Sequence, residues 1–153
     1  MFLKRLQAGF GTLLACTLMA SMGGCKPSVQ DTAIYEVSNA SVRTPLPGRT
    51  ITAGYFDFKN KGDATATIVG VSSDIAASIE MHTITKIDGQ MRMRPLSAIP
   101  VEPGAVVSFA SGGKHLMLFD VQLGDSPSTL KIELASGDIV EAPFHHTQLI
   151  ESD

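Results

Sequence analysis

The chain has 153 residues, with 12 Lys and Arg against 15 Asp and Glu, and a formal charge of −3. This length suits one domain once a leader has been removed. The sequence has neither a basic block nor a long acidic tail, which argues against a nucleic-acid-binding protein and against a solvated acidic arm.

Residues 1–24 have the features of an export signal. Lys4 and Arg5 form a positive start, and the apolar stretch of small residues that follows is too short to be a comfortable membrane span. Two Gly residues then precede Cys25, a pattern that resembles the lipobox of bacterial lipoproteins, in which the cysteine is lipidated and becomes the mature N-terminus. Met22 stands where that pattern usually has Leu. The alternative is an ordinary signal peptide that is cut nearby and leaves Cys25 as a free thiol.

These features predict four segments. Residues 1–24 are the leader, 25–32 the lipidated N-terminus and tether, 33–146 the folded domain, and 147–153 a loose C-terminal tail. Removing the leader leaves 10 basic and 15 acidic residues. It also removes Cys16, so the mature chain has no disulfide and, with Cys25 lipidated, no thiolate to bind a metal.

Nine short strands separated by Pro- and Gly-rich turns make up the rest of the prediction. Several of them alternate apolar and polar residues with period two, and no segment has the pattern of an amphipathic helix. The predicted fold is therefore all-β, a single-domain antiparallel sandwich or barrel. In chain order the predicted strands cover residues 33–37, 50–59, 64–72, 78–87, 90–94, 105–110, 115–123, 129–135 and 139–142.

Asp88-Gly89 is a strong signal for a two-residue hairpin turn. With Ile87 and Gln90 on either side of the turn, Met93 lies opposite Ile84 and Met91 opposite Lys86. Residues paired across two strands share a sheet face, so His82, Met91 and Met93 are predicted to point the same way. His115 and Met117, two residues apart on a later strand, also share a face.

Met and His are concentrated in one window of the sequence. Four of the seven Met and two of the four His fall between residues 81 and 117: Met81, His82, Met91, Met93, His115 and Met117. Thioether and imidazole ligands suit soft and borderline metals, copper above all. Zinc prefers thiolate, imidazole or carboxylate, and calcium prefers oxygen. The mixed set without Cys therefore indicates Cu(I), with Cu(II) as a second possibility.

Other Met and His residues in the domain have structural interpretations. Met81 lies on the opposite face from His82, so we expect it in the core. Met91 is expected to pack in the core or beside the ligands rather than to bind the metal. His145 and His146 are adjacent on a strand and face opposite ways, so they are not expected to bind one ion together.

The spacing His82-x10-Met93-x21-His115-x-Met117 resembles the signature of the PCu(A)C family of periplasmic copper chaperones. The flanking segments around these residues resemble the family too, as do 39–43, with the prolines that follow, and 53–56. The resemblance extends over about residues 39–140. Ser41 stands where the family commonly has Trp, which affects packing rather than binding.

The resemblance implies a cupredoxin-like β-sandwich that binds Cu(I) through His82, Met93, His115 and Met117. It also implies delivery of copper to the binuclear copper centre of cytochrome c oxidase, on subunit II, or exchange with a thiol-bearing copper chaperone. Many family members are secreted without an anchor, so a periplasmic, membrane-anchored lipoprotein is a variation on the family.

Two other functions fit the same residues. One is copper buffering or resistance without a dedicated acceptor, and the other is a metal-free interaction domain on a lipid tether. An enzyme is the least favoured, because four protein ligands leave no open position on the metal and the sequence has no nucleophile–base pair.

Overall fold

The computed structural model describes residues 34–124 and 127–147, all within one compact unit, Thr32–Asp153. The predicted leader, Cys25, the tether and residues 148–153 lie outside the described residues. Every regular element in the described part is a strand. The ten strands are β1 (Tyr35–Arg43), β2 (Thr52–Asn60), β3 (Ala66–Ser73), β4 (Ser78–Ile87), β5 (Gln90–Pro95), β6 (Ile99–Val101), β7 (Val106–Phe109), β8 (His115–Phe119), β9 (Ser128–Leu134) and β10 (Ile139–Thr147).

Nine of these strands form one continuous hydrogen-bonded path in the order β5-β4-β8-β2-β1-β10-β9-β3-β6, and β7 pairs with β2 beside this path. The pairs are antiparallel except β1 with β10, which is parallel and joins the two halves of the path. Within the two described stretches there is no helix that is long and apolar enough to cross a membrane.

The core lies between the two halves of the path. Its buried side chains form a single cluster that includes Phe56 and Leu118 from one half and Ile68 and Ile132 from the other. A continuous cluster fed from both halves requires the halves to face each other, as in a sandwich. The predicted all-β, cupredoxin-like fold class is confirmed.

Period-two alternation explains which side chains enter this core. On β2, Phe56 and Phe58 are almost fully buried, whereas their neighbours Tyr55 and Asp57 are only partly buried. On β9 the same alternation buries Leu130, Ile132 and Leu134 and leaves the charged residues between them exposed. Because polar residues alternate with these positions, each strand can bury only one face.

The predicted limits of two strands are wrong at a bulge and at a turn. β1 continues to Arg43 instead of ending at residue 37. Its pairing with β2 shifts between Ser38 and Ser41, where Asn39 has a φ of 53°. Such a bulge interrupts the alternation that marks a strand in sequence. β8 ends at Phe119 instead of residue 123, because Asp120 has a φ of 51° and turns the chain out of the sheet.

Proline explains the other two differences. β6 was not predicted, since it has only three residues with Pro100 in the middle, and it lies at the edge of the sheet, where a missing N–H is tolerated. β10 runs through Pro143 to Thr147, whereas the prediction ended that strand at 142 and placed Thr147 in the tail. Thr147 pairs with Arg43, and its carbonyl accepts a 2.9 Å hydrogen bond from the Thr44 amide.

Candidate metal site

Three neighbouring strands, β5, β4 and β8, carry the predicted ligands. The register predicted for the β4–β5 hairpin is confirmed: Ile87 pairs with Gln90 and Ile84 pairs with Met93. Asp88 and Gly89 have φ values of 50° and 79°, the left-handed pair that a two-residue hairpin turn requires. The turn therefore fixes which face of the hairpin carries Met93.

The β4–β8 pairing brings the two histidines together. His82 is the direct partner of His115, and the centroids of the two rings are 6.0 Å apart. Two residues further along the same pairing, Glu80 lies opposite Met117. Since paired residues share a face, both imidazoles, the Met117 thioether and the Glu80 carboxylate lie on one side of the sheet.

His115 is held in a defined orientation. It is 8% exposed, and its Nδ1 donates a 3.1 Å hydrogen bond to the Gly113 carbonyl. The same carbonyl accepts a 3.3 Å hydrogen bond from the Ile84 amide of β4. A carbonyl can only accept, so the proton of the neutral ring is on Nδ1 and the lone pair on Nε2 is free to bind a metal.

His82 is oriented by a side chain instead. Its Nε2 lies 2.8 Å from Glu80 Oε2, and its side chain is 12% exposed, whereas that of Glu80 is 55% exposed. Among the described residues, the Nδ1 atom of His82 is the one buried side-chain nitrogen or oxygen without a hydrogen-bond partner. His82 therefore has one ring nitrogen beside a carboxylate and the other buried without a partner.

The two methionines lie on either side of the histidine pair. Met117 is half-buried, in the row beyond His115. Met93 is 47% exposed on the edge strand β5, in the row on the other side of His82. Strands β5 and β8 are two strand spacings apart, each about 4.8 Å, and Met93 and Met117 are also offset by about four residues along the strands, on opposite sides of the histidine pair. Both thioether side chains must therefore extend toward the His82–His115 pair to share an ion.

The other Met and His residues of the described part lie in the core, on the exposed hairpin or on β10. Met81 is 5% exposed in the core, as predicted, whereas core packing is wrong for Met91, which is 63% exposed on the same face as Met93. His145 pairs with Ser41, and His146 Nε2 is 3.0 Å from Ser128 Oγ. Within residues 34–124 and 127–147, no group of three or more His, Cys, Asp or Glu side chains could hold a metal ion.

Glu80 is the residue that sequence reasoning missed. The signal was present, because Glu80 stands two residues before His82 and therefore on the same strand face. Only the folded chain shows that the two side chains are within hydrogen-bonding distance.

Residues 35–140 match the family model described as "Putative lipoprotein LpqE-like". The chain belongs to this family. It is also 31% identical over 111 residues to "Putative lipoprotein Lxx21020" of Leifsonia xyli subsp. xyli, an alignment that covers 72% of this chain. The chain spans 65% of the length of that relative.

Two solved structures share the fold. The copper-bound PCuAC domain from PmoF2 is 21% identical with a TM-score of 0.61, and the alignment covers 75% of this chain and 93% of that domain. The CuI form of DR1885 from Deinococcus radiodurans is 21% identical with a TM-score of 0.53, over 77% of this chain and 79% of the other. The predicted likeness to PCu(A)C domains is thus confirmed at the level of the fold.

Proposed function

We propose that this protein is an extracytoplasmic copper carrier that binds one Cu(I) ion through His82, Met93, His115 and Met117. The observation that carries this proposal is the direct pairing of His82 with His115. Met93 and Met117 lie on either side of this pair, each opposite a residue two positions from His82. The two solved domains that share the fold are named as copper-bound and CuI forms, which supports the same choice of metal.

The donor set explains the preference for Cu(I). Thioethers and imidazoles are soft or borderline neutral ligands, and they match the charge and polarisability of Cu(I) better than those of Mg²⁺, Ca²⁺ or Zn²⁺. Without a thiolate, affinity should be lower than at a Cys site. A thiolate-bearing acceptor, which binds Cu(I) more tightly, can then take the ion from this site.

The exposure of Met93 suggests how the ion leaves. His115 and Met117 lie on an inner strand, whereas Met93 is half-exposed on the edge strand. An acceptor that approaches this edge could displace the Met93 thioether first while the imidazoles still hold the ion. Transfer would then proceed by exchange of one ligand at a time, with no redox step and no catalysis, so we propose a carrier rather than an enzyme.

Cu(I) titration under anaerobic conditions tests the site. Met→Leu substitutions remove the sulfur and keep the volume, so Met93→Leu and Met117→Leu should each weaken Cu(I) binding at least tenfold. Met91→Leu is the matched control, because Met91 lies two residues from Met93 on the same strand and face, and it should leave binding within about twofold. Equal binding by all three variants and the unchanged protein would refute the proposed ligand set.

The family description as a lipoprotein supports a membrane anchor at Cys25. We propose that Cys25 is lipidated and that residues 26–32 tether the domain on the outer side of the membrane. Cys25→Ser should move the protein from the membrane fraction to the soluble extracytoplasmic fraction. A variant that stays with the membrane would show that another segment anchors the chain.

The proposed acceptor is the binuclear copper centre of cytochrome c oxidase, directly or through a thiol-bearing chaperone. A deletion strain grown at low copper should lose oxidase activity and regain it when copper is added. Sensitivity at high copper with normal oxidase activity at low copper would instead assign the protein to copper buffering. A protein that binds no Cu(I) would be a metal-free interaction domain.

A further inference from the structure

Glu80 and the buried Nδ1 of His82 are not explained by the four ligands alone. Glu80 is largely exposed and could point into solvent, yet its carboxylate lies 2.8 Å from Nε2 of His82. The other nitrogen of the same ring, Nδ1, is buried without a hydrogen-bond partner. Buried polar atoms in folded proteins are usually paired, so an unpaired one at a candidate metal site calls for a ligand.

The carboxylate selects one tautomer of the neutral ring. With the proton on Nε2, His82 donates to Glu80 and keeps a lone pair on Nδ1. With the proton on Nδ1, a buried N–H would have no acceptor, and the Nε2 lone pair would face a carboxylate oxygen at 2.8 Å. The first tautomer satisfies every group except the lone pair on Nδ1.

We propose that Glu80 is a positioning residue that holds His82 in the Nε2–H tautomer and so makes Nδ1 the copper-binding atom. This inference rests on the proposed function and refines its site. His115 has the opposite arrangement, because its Nδ1 donates to the Gly113 carbonyl and leaves Nε2 for the metal. The site would therefore bind copper through different nitrogens of its two imidazoles. The Glu80 carboxylate, outside the ligand set, would fix the tautomer and the orientation of the His82 ring.

Nitrogen NMR of the histidine rings tests the choice of atom, since Cu(I) is diamagnetic. In the copper-free full chain, His82 should show a protonated Nε2 and an unprotonated Nδ1. One equivalent of Cu(I) should shift the Nδ1 resonance of His82 and the Nε2 resonance of His115. A spectrum in which copper is bound to Nε2 of His82 would overturn the proposal.

Substitution of Glu80 tests its role in affinity. Loss of a carboxylate that orients a ligating histidine typically lowers metal affinity by about 10- to 100-fold, and we expect this loss for Glu80→Ala. Glu80→Gln keeps an acceptor oxygen at the same reach and should lose less. Glu141→Gln is the matched control, because Glu141 is 57% exposed, pairs with Lys131 on another part of the sheet and carries the same charge.

Two further variants separate this inference from the proposed function. If His115→Ala and Met117→Leu weaken Cu(I) binding while Glu80→Ala binds within about twofold of the unchanged protein, the positioning role is refuted and the copper site stands. If none of the three variants weakens binding, the copper site itself is refuted. If Glu80→Ala weakens binding and Glu141→Gln does not, with unchanged unfolding midpoints, the positioning role is supported.

Discussion

Asn60, at the end of β2, fastens the loop that follows it. It is fully buried, and its side-chain amide donates to the carbonyls of Ala64 and Val101 at 2.7 Å and 2.9 Å. Its Oδ1 accepts a 2.9 Å hydrogen bond from the Gly62 amide. A single side chain therefore makes three hydrogen bonds to the backbone, two of them within the loop that follows β2.

Asn60→Ala should lower the free energy of unfolding by about 2–4 kcal/mol, because it removes three hydrogen bonds, of which the one to the Val101 carbonyl is buried. Thr65→Ala is the control in the same region, since the Thr65 hydroxyl makes a 2.8 Å hydrogen bond with Glu102 that is exposed to water. That substitution should cost at most about 0.5 kcal/mol. Urea denaturation measures both, and equal losses would contradict this role for Asn60.

Single-residue chemistry was predictable where it followed from spacing and was missed where it depended on a side-chain conformation. Period two correctly placed His82 and Met93 on one face and Met81 in the core. The same rule places Glu80 beside His82, but whether that carboxylate meets the ring depends on rotamers that sequence does not show. Exposure of Met91 likewise follows from the hairpin extending beyond the core.

At the scale of strands, β8 is positioned by contact between its core face and a glycine. An added Cβ at Gly54 would lie 2.9 Å from Phe144 Cζ and 3.0 Å from Leu118 Cδ1, so only glycine fits there without rearrangement. Gly54 pairs with Leu116, between the two predicted ligands of β8. Close packing at Gly54 therefore supports the strand that carries His115 and Met117.

Gly54→Ala should destabilise the protein. Replacing a strand glycine gains about 0.5–1 kcal/mol in chain entropy, but overpacking a rigid core costs about 1–3 kcal/mol, so the net effect is a loss of about 1–2 kcal/mol. Gly70→Ala is the control, because the Cβ there would first meet the carboxylate end of Glu133, which can move away. Thermal unfolding should show a lower midpoint for Gly54→Ala alone; equal midpoints would contradict the overpacking argument.

The hairpin turn gives a prediction that links stability to binding. Gly89 and Gly137 both have positive φ, 79° and 92°, in turns that join neighbouring strands. Alanine at either position should cost about 1–2 kcal/mol of backbone strain. Only Gly89→Ala should also weaken Cu(I) binding, since its hairpin carries Met93. A similar change in copper affinity for both variants would show that the hairpin does not position a copper ligand.

Strands were predictable where a local sequence signal fixed them and were missed where tertiary pairing decided. Strands 78–87 and 90–94 were predicted almost as observed, because a strong turn signal fixes their register. β6 and the second half of β10 were missed because Pro100 and Pro143 stand inside them, and the second half of β1 because of the bulge at Asn39. Pro100 lies on the edge strand β6, and Pro143 lies before His145, where the pairing of β10 with β1 begins. Pairing tolerates prolines at such positions and extra residues at a bulge, which local patterns do not reveal.

At the scale of the whole molecule, the order of strands brings distant parts of the sequence together. The all-β class followed from the number and spacing of alternating segments. The pairing of β4 with β8 did not, since it joins residues that are more than thirty positions apart and depends on the common core. This pairing places His82 opposite His115, so the site exists only in the folded chain. Most of the core lies on the other face of these strands, and we expect the domain to fold without copper.

X-ray absorption at the copper edge tests most directly whether two imidazoles and two thioethers share one ion. The full chain loaded with one equivalent of Cu(I) should show two sulfur and two nitrogen scatterers around each copper, and Met93→Leu should lose one of the sulfurs. A copper shell of nitrogen and oxygen alone in the unchanged protein would contradict the proposed site.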